Sequence, residues 1–297
     1  MKKQTVSLLV PAHNEEKNIG KLLKNLLAQK LSSEFVLQDI VVVASGCTDS
    51  TVEIVKKFLQ NPKIKLIIEE RRTGKASAIN LFLKVVQSEI LVMISADVLP
   101  INEYTLNNLL IPFHDPSVGM TAGRPIPIEN HKTLTTRISG LVWHLHHKIS
   151  LTNPPKVGEI IAFRNVIEMI PEDIIADEEV ISYFIQKKGY RIVYAKDAVV
   201  LNRPPRTISE LITQRKRIFV GHLQIKQRYN HTIPTMNVIR LIKVVIKEII
   251  SNPTKFFTIV PLCFLETYIR FLGFLEYLTG KFKTTWNICK TTKKLSE

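Results

Sequence analysis

Short apolar runs alternate with segments of helical spacing over the first hundred residues, and this alternation constrains the fold more than any other feature. Four apolar runs predict buried strands, at residues 6–10, 40–44, 64–68 and 90–94. Three intervening segments with apolar side chains every three or four positions predict helices, at residues 18–30, 50–59 and 76–86. Strands and helices in alternation form a mostly parallel sheet that helices sandwich. The predicted fold class is α/β.

Polar side chains suited to a charged ligand follow each predicted strand. In chain order they are His13, Asn14, Glu15 and Glu16; Ser45 and Asp49; Arg71, Arg72 and Lys75; and Asp97. The carboxyl ends of parallel strands meet at one edge of the sheet, where ligands of such folds bind. Carboxylates beside arginines there suit a nucleotide whose phosphates a divalent metal bridges, because hard cations prefer oxygen ligands. Asp49 has a second interpretation, as a cap of the following helix.

The segment VVVASGCTDST, residues 41–51, ends one of these strands in a polar turn. Gly46 is its one glycine, so it matches neither the phosphate-binding loop nor the dinucleotide-binding pattern. The ligand site of this chain must therefore be built in another way.

Beyond Asp97 the pattern is less regular. Residues 113–127 are rich in proline and predict irregular structure, whereas residues 133–150 predict a helix. That helix carries His144, His146 and His147, whose spacing does not place all three on one face, so a groove or solvent is favoured over a metal. Residues 158–164 and 190–195 predict strands on either side of a helix that ends near residue 188.

Three consecutive acids, residues 177–179, begin the last of these helices. Carboxylates at a helix start complement the helix dipole, which is a purely structural interpretation. The functional interpretation is a general base, which removes the proton of an attacking hydroxyl group.

The net charge of +15 is concentrated in the last third of the chain. From residue 201 onward there are 17 Lys and Arg against 5 Asp and Glu, a net charge of +12. A nucleic-acid-binding protein would interleave its basic residues with exposed aromatic ones. Here they interleave with Ile and Leu, so nucleic acid is not the expected partner.

The three cysteines are too far apart for a zinc site or a disulfide framework. The first apolar run is too short for a signal peptide, so we expect the chain not to be secreted.

Two C-terminal segments have the composition of membrane-associating helices. Residues 236–250 alternate apolar and cationic positions, as interfacial helices do. Residues 256–277 are long enough to span a bilayer but contain Glu266, Arg270 and Glu276, each costing roughly 2.5–3.5 kcal/mol in hydrocarbon. We therefore expect residues 1–230 to form a catalytic domain and residues 231–297 to lie on the cytosolic face of the cell membrane. Packing against the catalytic domain or a second subunit, and a true span, are the alternatives.

Six short motifs occur in a characteristic order. They are Pro11–Glu16 as P-x-x-N-E-E, residues 45–51 in place of D-D-G-S-T-D-x-T, residues 72–80 as R-x-G-K-x-x-A-x-N, residues 95–97 in place of D-x-D, residues 177–178 in place of E-D, and residues 214–221 in place of Q-x-x-R-W and R-W-x-x-G. Over residues 6–221 the chain resembles the family 2 glycosyltransferases. The resemblance implies a GT-A fold and an inverting transfer of sugar from a nucleotide-diphospho-sugar.

The resemblance also implies roles for individual residues. Glu178 would be the general base, oriented by Asp177, and Asp97 would bind Mn²⁺ or Mg²⁺ between the two phosphates. Gln214 and Arg217 would neutralise the diphosphate leaving group, a role that suits the permanently charged guanidinium. The nucleotide site would consist of Pro11, Ala12, Asn14, Glu15, Ser45, Asp49, Arg72, Lys75 and Ala96.

Several positions depart from the family pattern, among them Glu178, which stands where Asp is usual. Ala44 and Ser45 replace two aspartates, one of which reads the base in relatives that use uridine nucleotides, so GDP-mannose and a UDP-hexose are both expected donors. Ser95 replaces the first acid of D-x-D, and Ile218 replaces a tryptophan typical of processive polymer synthases. Transfer of one sugar to a lipid-linked saccharide or glycolipid is therefore expected. A polyprenyl-phosphate acceptor, as in dolichyl-phosphate sugar synthases, and an inactive scaffold are the alternatives.

Overall fold

The computed structural model describes residues 3–128 and 134–280, together with residues 282 and 285. The strands are β1 (Gln4–Ala12), β2 (Phe35–Ser45), β3 (Ile64–Glu69), β4 (Ile90–Ile94), β5 (Val98–Pro100), β6 (Val118–Pro127), β7 (Ile160–Arg164) and β8 (Arg191–Asn202). The helices are α1 (Ile19–Leu27), α2 (Thr51–Lys56), α3 (Lys75–Val85), α4 (Thr105–Leu110), α5 (Leu134–Ser150), α6 (Asp177–Lys187), α7 (Ile208–Tyr229), α8 (Val238–Ser251) and α9 (Phe256–Leu278).

The strands form one eight-stranded sheet in the order β3-β2-β1-β4-β7-β6-β8-β5. The first four of these are parallel neighbours, as the alternation predicts. On the other side of β4, strands β7 and β5 run antiparallel to their neighbours. The sheet is therefore mixed, and its parallel half carries the polar loops.

Alternate residues of the central strands pack into two separate cores, one on each face of the sheet. Leu8 of β1 and Val42 of β2 pack beneath α1, α2 and α4. Leu9 and Val41 face the other way, toward α3 and α6. All of these side chains are buried, because helices cover both faces of the sheet. This explains why the strands are apolar runs without polar alternation.

Strand β6 was not predicted, because its region is rich in proline. Residues 120–122 pair with β7, but Pro125 and Pro127 pair only with β8. A proline lacks a backbone N–H and is tolerated where one side of the strand has no partner. The prediction of irregular structure for residues 113–127 was therefore wrong for Val118–Pro127.

The C-terminal helices pack on the catalytic part of the chain. Ile259 and Leu262 of α9 are buried against Ile138 and Leu141 of α5 and Leu211 of α7. Gly273 allows a close crossing, since a Cβ atom there would lie 2.9 Å from the ring of Phe219 on α7. This third core joins α5, α7, α8 and α9.

Ion pairs satisfy the charges that α8 and α9 bury in this contact. Glu266 of α9 accepts two hydrogen bonds from Arg215 of α7, and Lys216 pairs with Glu276 at 2.5 Å. On α8, the buried Glu248 lies 2.9 Å from the ring of His144 and 2.5 Å from Lys255. The two acids of α9 thus have cationic partners on α7 within the protein.

The three histidines of α5 have separate environments. His144 contacts Glu248, and His147 shares a hydrogen bond of 2.9 Å with the Tyr194 hydroxyl. Burial lowers the pKa of His146 to about 3. Among the described residues, no three His, Cys, Asp or Glu side chains are grouped to hold a metal ion. Two of the histidines thus have protein partners, and all three are half-buried.

We predict that Leu262→Ala lowers the free energy of unfolding by about 2–4 kcal/mol, because the side chain is 3% exposed and its removal leaves a cavity. Phe264→Ala on the same helix is the matched control, since Phe264 is 74% exposed. Its effect is expected to stay within about 0.5 kcal/mol. Urea denaturation measures both. Equal, small effects would show that α9 does not pack on the body.

Candidate active site

The loops after β1 and β2 are locked together by reciprocal hydrogen bonds. The Asn14 side chain donates to Thr48 Oγ1 at 3.1 Å and accepts from the Thr48 backbone N–H at 2.8 Å. The Glu16 backbone N–H donates to Asp49 Oδ2 at 3.1 Å, and the Glu16 carboxylate accepts from the Ser50 N–H at 3.2 Å. Asn14 has a φ of 54°, a left-handed conformation that asparagine tolerates better than most residues. The two predicted nucleotide loops therefore form one rigid unit.

Two predicted nucleoside residues serve as local structural acids. Asp49 Oδ1 accepts from the N–H of Thr51, the first residue of α2, at 3.0 Å. Glu15 is buried, and its carboxylate accepts from the Asn18 side chain at 2.9 Å. Burial alone would raise the pKa of Asp49, but hydrogen bonds from Thr51 and Glu16 lower it. Asp49 therefore contacts the first residue of α2, although the N-cap position itself is occupied by Ser50. The nucleoside role of both residues stays a prediction.

The loop after β3 packs against the β2 loop through Gly46. Gly46 has a φ of 54°, and a Cβ atom there would lie 2.5 Å from the backbone nitrogen of Arg72. No other residue allows that approach. Ser45 donates to the Arg71 carbonyl oxygen at 3.4 Å, so Ser45, Arg72 and the start of α3 at Lys75 share one corner of the sheet edge.

A buried ion cluster at this edge joins α3 to α6. Lys75 Nζ lies 3.1 Å from Asp177 Oδ2 and donates a short hydrogen bond to Glu178 Oε1, although the residues are 103 positions apart. The third acid of the cluster, Glu179, is buried and pairs instead with Lys156 at 2.5 Å. The three consecutive acids therefore point to two different cations, and only Asp177 and Glu178 belong to the sheet edge.

The lysine keeps this acid pair ionised. Burial alone would raise the pKa of Glu178, but the Lys75 ammonium group outweighs it and lowers that pKa to about 2. Burial and the neighbouring Glu178 raise the pKa of Asp177 to about 6. Burial would lower the pKa of Lys75, yet the two carboxylates raise it. Removing the lysine would leave two buried negative charges side by side.

Three neighbouring contacts hold α6 in this position. Asn80 of α3 donates to the Ile170 carbonyl and accepts from the Ile170 N–H, both at 2.9 Å. Gln224 of α7 accepts from the Ile175 N–H at 3.0 Å. A Cβ atom on Gly221 would lie 3.0 Å from Ala176, directly before α6. The motif residue Asn80 thus holds the segment before α6 through hydrogen bonds, and Gly221 does so by allowing close packing.

Glu159 is a further acid of this site that sequence reasoning missed. It precedes β7, and the charges of Asp97, Glu178, Lys75 and Arg217 all act on it. Burial, followed by the repulsion of Asp97 and Glu178, raises the pKa of Glu159 to about 8. The structure therefore brings acids from the ends of β4, β7 and α6 together with cations from α3 and α7. An isolated acid before a short strand had no motif to mark it, and this is why it was missed.

The remaining predicted residues line the same edge. Pro11 and Ala12 end β1, paired with Val43 and Ala44 of β2, and Ala96 is buried next to Asp97. Gln214 lies one turn before Arg217 on α7, and both are half-buried. Asp97 is half-buried as well. Oxygen donors of this kind suit Mg²⁺ or Mn²⁺, which bind through one or two carboxylates plus substrate phosphates.

Comparison with known proteins agrees with this geometry. Residues 7–166, more than half of the chain, match the family model described as glycosyl transferase family 2. The chain belongs to this family, which confirms the resemblance found in the motifs.

The chain is similar in sequence to a poly-beta-1,6-N-acetyl-D-glucosamine synthase of Staphylococcus aureus (strain COL). The two are 23% identical over 237 residues, which is 75% of this chain and 56% of that protein. The chain therefore spans about half the length of the curated relatives that it matches.

Two solved structures share the fold. The mannosyltransferase PcManGT from Pyrobaculum calidifontis, in complex with GDP-Man and Mn²⁺, has a TM-score of 0.68 at 22% identity, covering 95% of this chain and 89% of that one. Residues 1–349 of TarS from S. aureus have a TM-score of 0.51 at 20% identity, covering 75% of this chain and 66% of that one. The expected GT-A fold is confirmed.

We predict that Lys75→Met lowers the free energy of unfolding by about 3–5 kcal/mol near pH 8, because it leaves Asp177 and Glu178 buried without their cation. Without the lysine, burial should raise the folded-state pKa of both acids above their unfolded values, because the cation that opposes burial is gone. The loss of stability should therefore shrink as the pH falls from 8 toward 5, where the acids take up protons. Lys84→Met, an exposed lysine on the same helix, is the control. Urea denaturation at both pH values is the measurement, and a loss independent of pH would contradict the prediction.

Proposed function

We propose that this protein is an inverting glycosyltransferase that moves one sugar from a nucleotide-diphospho-sugar to a membrane-associated acceptor. The observation that carries the proposal is the placement of Asp97 after β4, Glu178 at the start of α6 and Arg217 on α7, whose charges all act on Glu159 before β7. This transfer requires three groups: an acid near the phosphates, an acid near the acceptor hydroxyl, and a permanently charged cation. Asp97, Glu178 and Arg217 are the respective candidates. Family membership of the chain supports the same assignment.

Each group has a defined chemical task. Glu178 removes the proton of the acceptor hydroxyl as its oxygen attacks the anomeric carbon. Arg217, with Gln214 beside it, neutralises the nucleoside diphosphate as the bond to the sugar breaks. Because Glu178 and Arg217 act on opposite sides of the sugar, attack occurs on the face opposite the leaving group, and the anomeric configuration inverts.

Lys75 connects the two halves of the reaction. In the donor-free protein it holds Glu178 ionised and lowers its basicity. Lys75 is also predicted to bind the nucleotide. With a donor bound, it would therefore contact both a donor phosphate and Glu178. Such sharing would weaken its contact with Glu178 and raise the basicity of that carboxylate when a donor is bound.

Asp97 is the predicted carboxylate for a divalent cation. Its oxygen donors and half-buried position fit Mn²⁺ or Mg²⁺. When bound, such a cation supplies charge neutralisation for the two phosphates. GDP-mannose and a UDP-hexose are the candidate donors, and the mannosyltransferase of similar fold in complex with GDP-Man and Mn²⁺ makes GDP-mannose the first one to test.

The membrane is the proposed partner of the C-terminal helices. Exposed isoleucines recur along one side of α8, at residues 239, 242, 246 and 250. Exposed apolar and aromatic side chains recur along α9, at residues 257, 264, 268, 271, 275 and 278. The other face of α9 packs on the body, so each helix has one side for the protein and one available for lipid.

Charge and length agree with an interfacial position on the cytosolic leaflet. The exposed Lys243 and Lys247 alternate with the isoleucines of α8, and a cleft of about 630 Å³ beside them is also lined by Lys148 and Arg240. The segment Pro253–Leu278 is long and apolar enough to cross a membrane. Its ion pairs with α7 favour a helix lying on the surface over a span. Residues 281, 283–284 and 286–297, the remainder of the predicted basic tail, lie outside the described residues.

The acceptor follows from this arrangement. A lipid-linked saccharide or glycolipid offers a sugar hydroxyl at the membrane surface, within reach of a peripheral enzyme. Ile218 at the position of the tryptophan typical of processive synthases supports transfer of a single sugar. A polyprenyl phosphate, as in a dolichyl-phosphate sugar synthase, is the second candidate acceptor.

We predict that the matching donor raises the melting temperature in the presence of Mn²⁺, since binding at 100 times Kd stabilises by about 2.7 kcal/mol. The screen uses UDP-, GDP- and dTDP-sugars, each with and without Mn²⁺. Glu178→Gln should retain this shift but lower kcat by about 10²–10⁴-fold, because the base is lost and the donor site is kept. Failure of every donor to shift the melting temperature would indicate an inactive scaffold.

We predict that Phe264→Glu combined with Ile242→Glu releases the protein from anionic vesicles, lowering the bound fraction at least about fivefold in a sedimentation assay. Both side chains are more than half exposed, so the fold should tolerate the changes. Ile68→Glu, an equally exposed isoleucine on β3, is the control and should sediment like the unmodified protein. Unchanged sedimentation of the double variant would exclude these helices as the anchor.

A further inference from the structure

Glu159 lies directly beside the position at which the chain lacks a family acid. The Ser95 backbone N–H donates to the Glu159 carbonyl oxygen at 3.2 Å, continuing the antiparallel pairing of Ile94 with Ile160. Ser95 stands where the D-x-D pattern has its first aspartate, two residues before Asp97. The end of β4 and the start of β7 therefore place Asp97 and Glu159 on the same edge of the sheet.

The backbone at Glu159 is held in an uncommon conformation. Its φ is 37°, a left-handed value that is rare for a residue with a long side chain. Such a conformation persists where the surrounding structure requires it, and these residues concentrate at functional sites. Here it occurs at the residue whose carboxylate lies among the charged groups of the site.

The carboxylate of Glu159 lacks a protein cation of its own. Within the described ranges, its side chain forms neither a hydrogen bond nor a salt bridge, whereas Asp177 and Glu178 share Lys75. Asp97 and Glu178 both repel it, and Lys75 and Arg217 offset this repulsion only in part. A partly buried acid beside other acids is unfavourable unless a positive charge compensates it.

We propose that Glu159 and Asp97 together face the divalent cation of the donor site, so that Glu159 supplies the carboxylate missing at Ser95. The proposal rests on the proposed function, which supplies the need for a cation. Two carboxylates with substrate phosphates are a usual protein contribution for Mg²⁺ or Mn²⁺. An acid taken from the neighbouring strand thus compensates for the loss of one within the motif.

The test is Mn²⁺ binding to the purified chain of 297 residues, measured by calorimetry with Mn²⁺ alone and again with GDP or UDP. Glu159→Gln keeps the size of the side chain and removes its charge, and we expect it to weaken Mn²⁺ binding at least about tenfold. Asp97→Asn should weaken binding at least as much. Glu168→Gln, an exposed acid nine positions along the chain, is the matched control and should bind as the unmodified protein does.

A second readout is the rise in melting temperature that Mn²⁺ produces, which reports binding by mass action and does not depend on turnover. The rise should be lost in Glu159→Gln and kept in Glu168→Gln. Melting without metal checks that each variant is folded.

The outcomes separate this inference from the proposed function. If Mn²⁺ binds Glu159→Gln as tightly as the unmodified protein, the inference is wrong and the glycosyltransferase proposal stands, with Glu159 left to contact the sugar. If the unmodified protein does not bind Mn²⁺ up to millimolar concentration, the inference is also overturned. If Mn²⁺ binding depends on Glu159 but no nucleotide-sugar binds, Glu159 and Asp97 hold a cation that serves no sugar donor, and the proposed function fails.

Discussion

The ion cluster of Lys75 with Asp177 and Glu178 is the contact on which the site depends. It joins the first residue of α3 to the first residues of α6, across more than a hundred positions of the chain. Neither carboxylate could be buried ionised without the lysine, and the lysine could not be buried without them. The same contact positions the proposed base and sets its pKa, so geometry and reactivity have one origin.

Around this cluster, the site is built from loops that hold one another. The β1 and β2 loops exchange hydrogen bonds between Asn14 and Thr48, and Gly46 brings the β3 loop against them. Asn80 and Gly221 fix the segment that leads into α6. Several motif residues therefore hold other parts of the site in place, because a site made of loops needs internal contacts to stay rigid.

The C-terminal helices have two faces that the sequence pattern did not separate. The alternation of apolar and charged residues indicated helices with two faces, and the structure shows that the charged residues of α9 pair with α7. The predicted membrane contact would therefore be made by the opposite, exposed faces of α8 and α9. Packing on the body, one of the alternatives at the sequence level, occurs in the described part of the chain. It is compatible with a membrane on the other side, since a helix can bury one face and expose the other.

The sequence by itself determined the family, the parallel half of the sheet and most of the polar edge, because these depend on local periodicity and on motifs contiguous in the chain. It did not predict β6, because prolines disfavour a strand. Pro125 and Pro127 are tolerated in β6 because that part of the strand pairs only with β8. It also did not reveal Glu159, which has no neighbouring motif and gains its environment from β4, α3, α6 and α7. The family resemblance already assigned Asp177 and Glu178 to the site, but only the tertiary structure shows that they share Lys75 whereas Glu179 pairs with Lys156. Charge interactions act through space, so only the fold decides which charges meet.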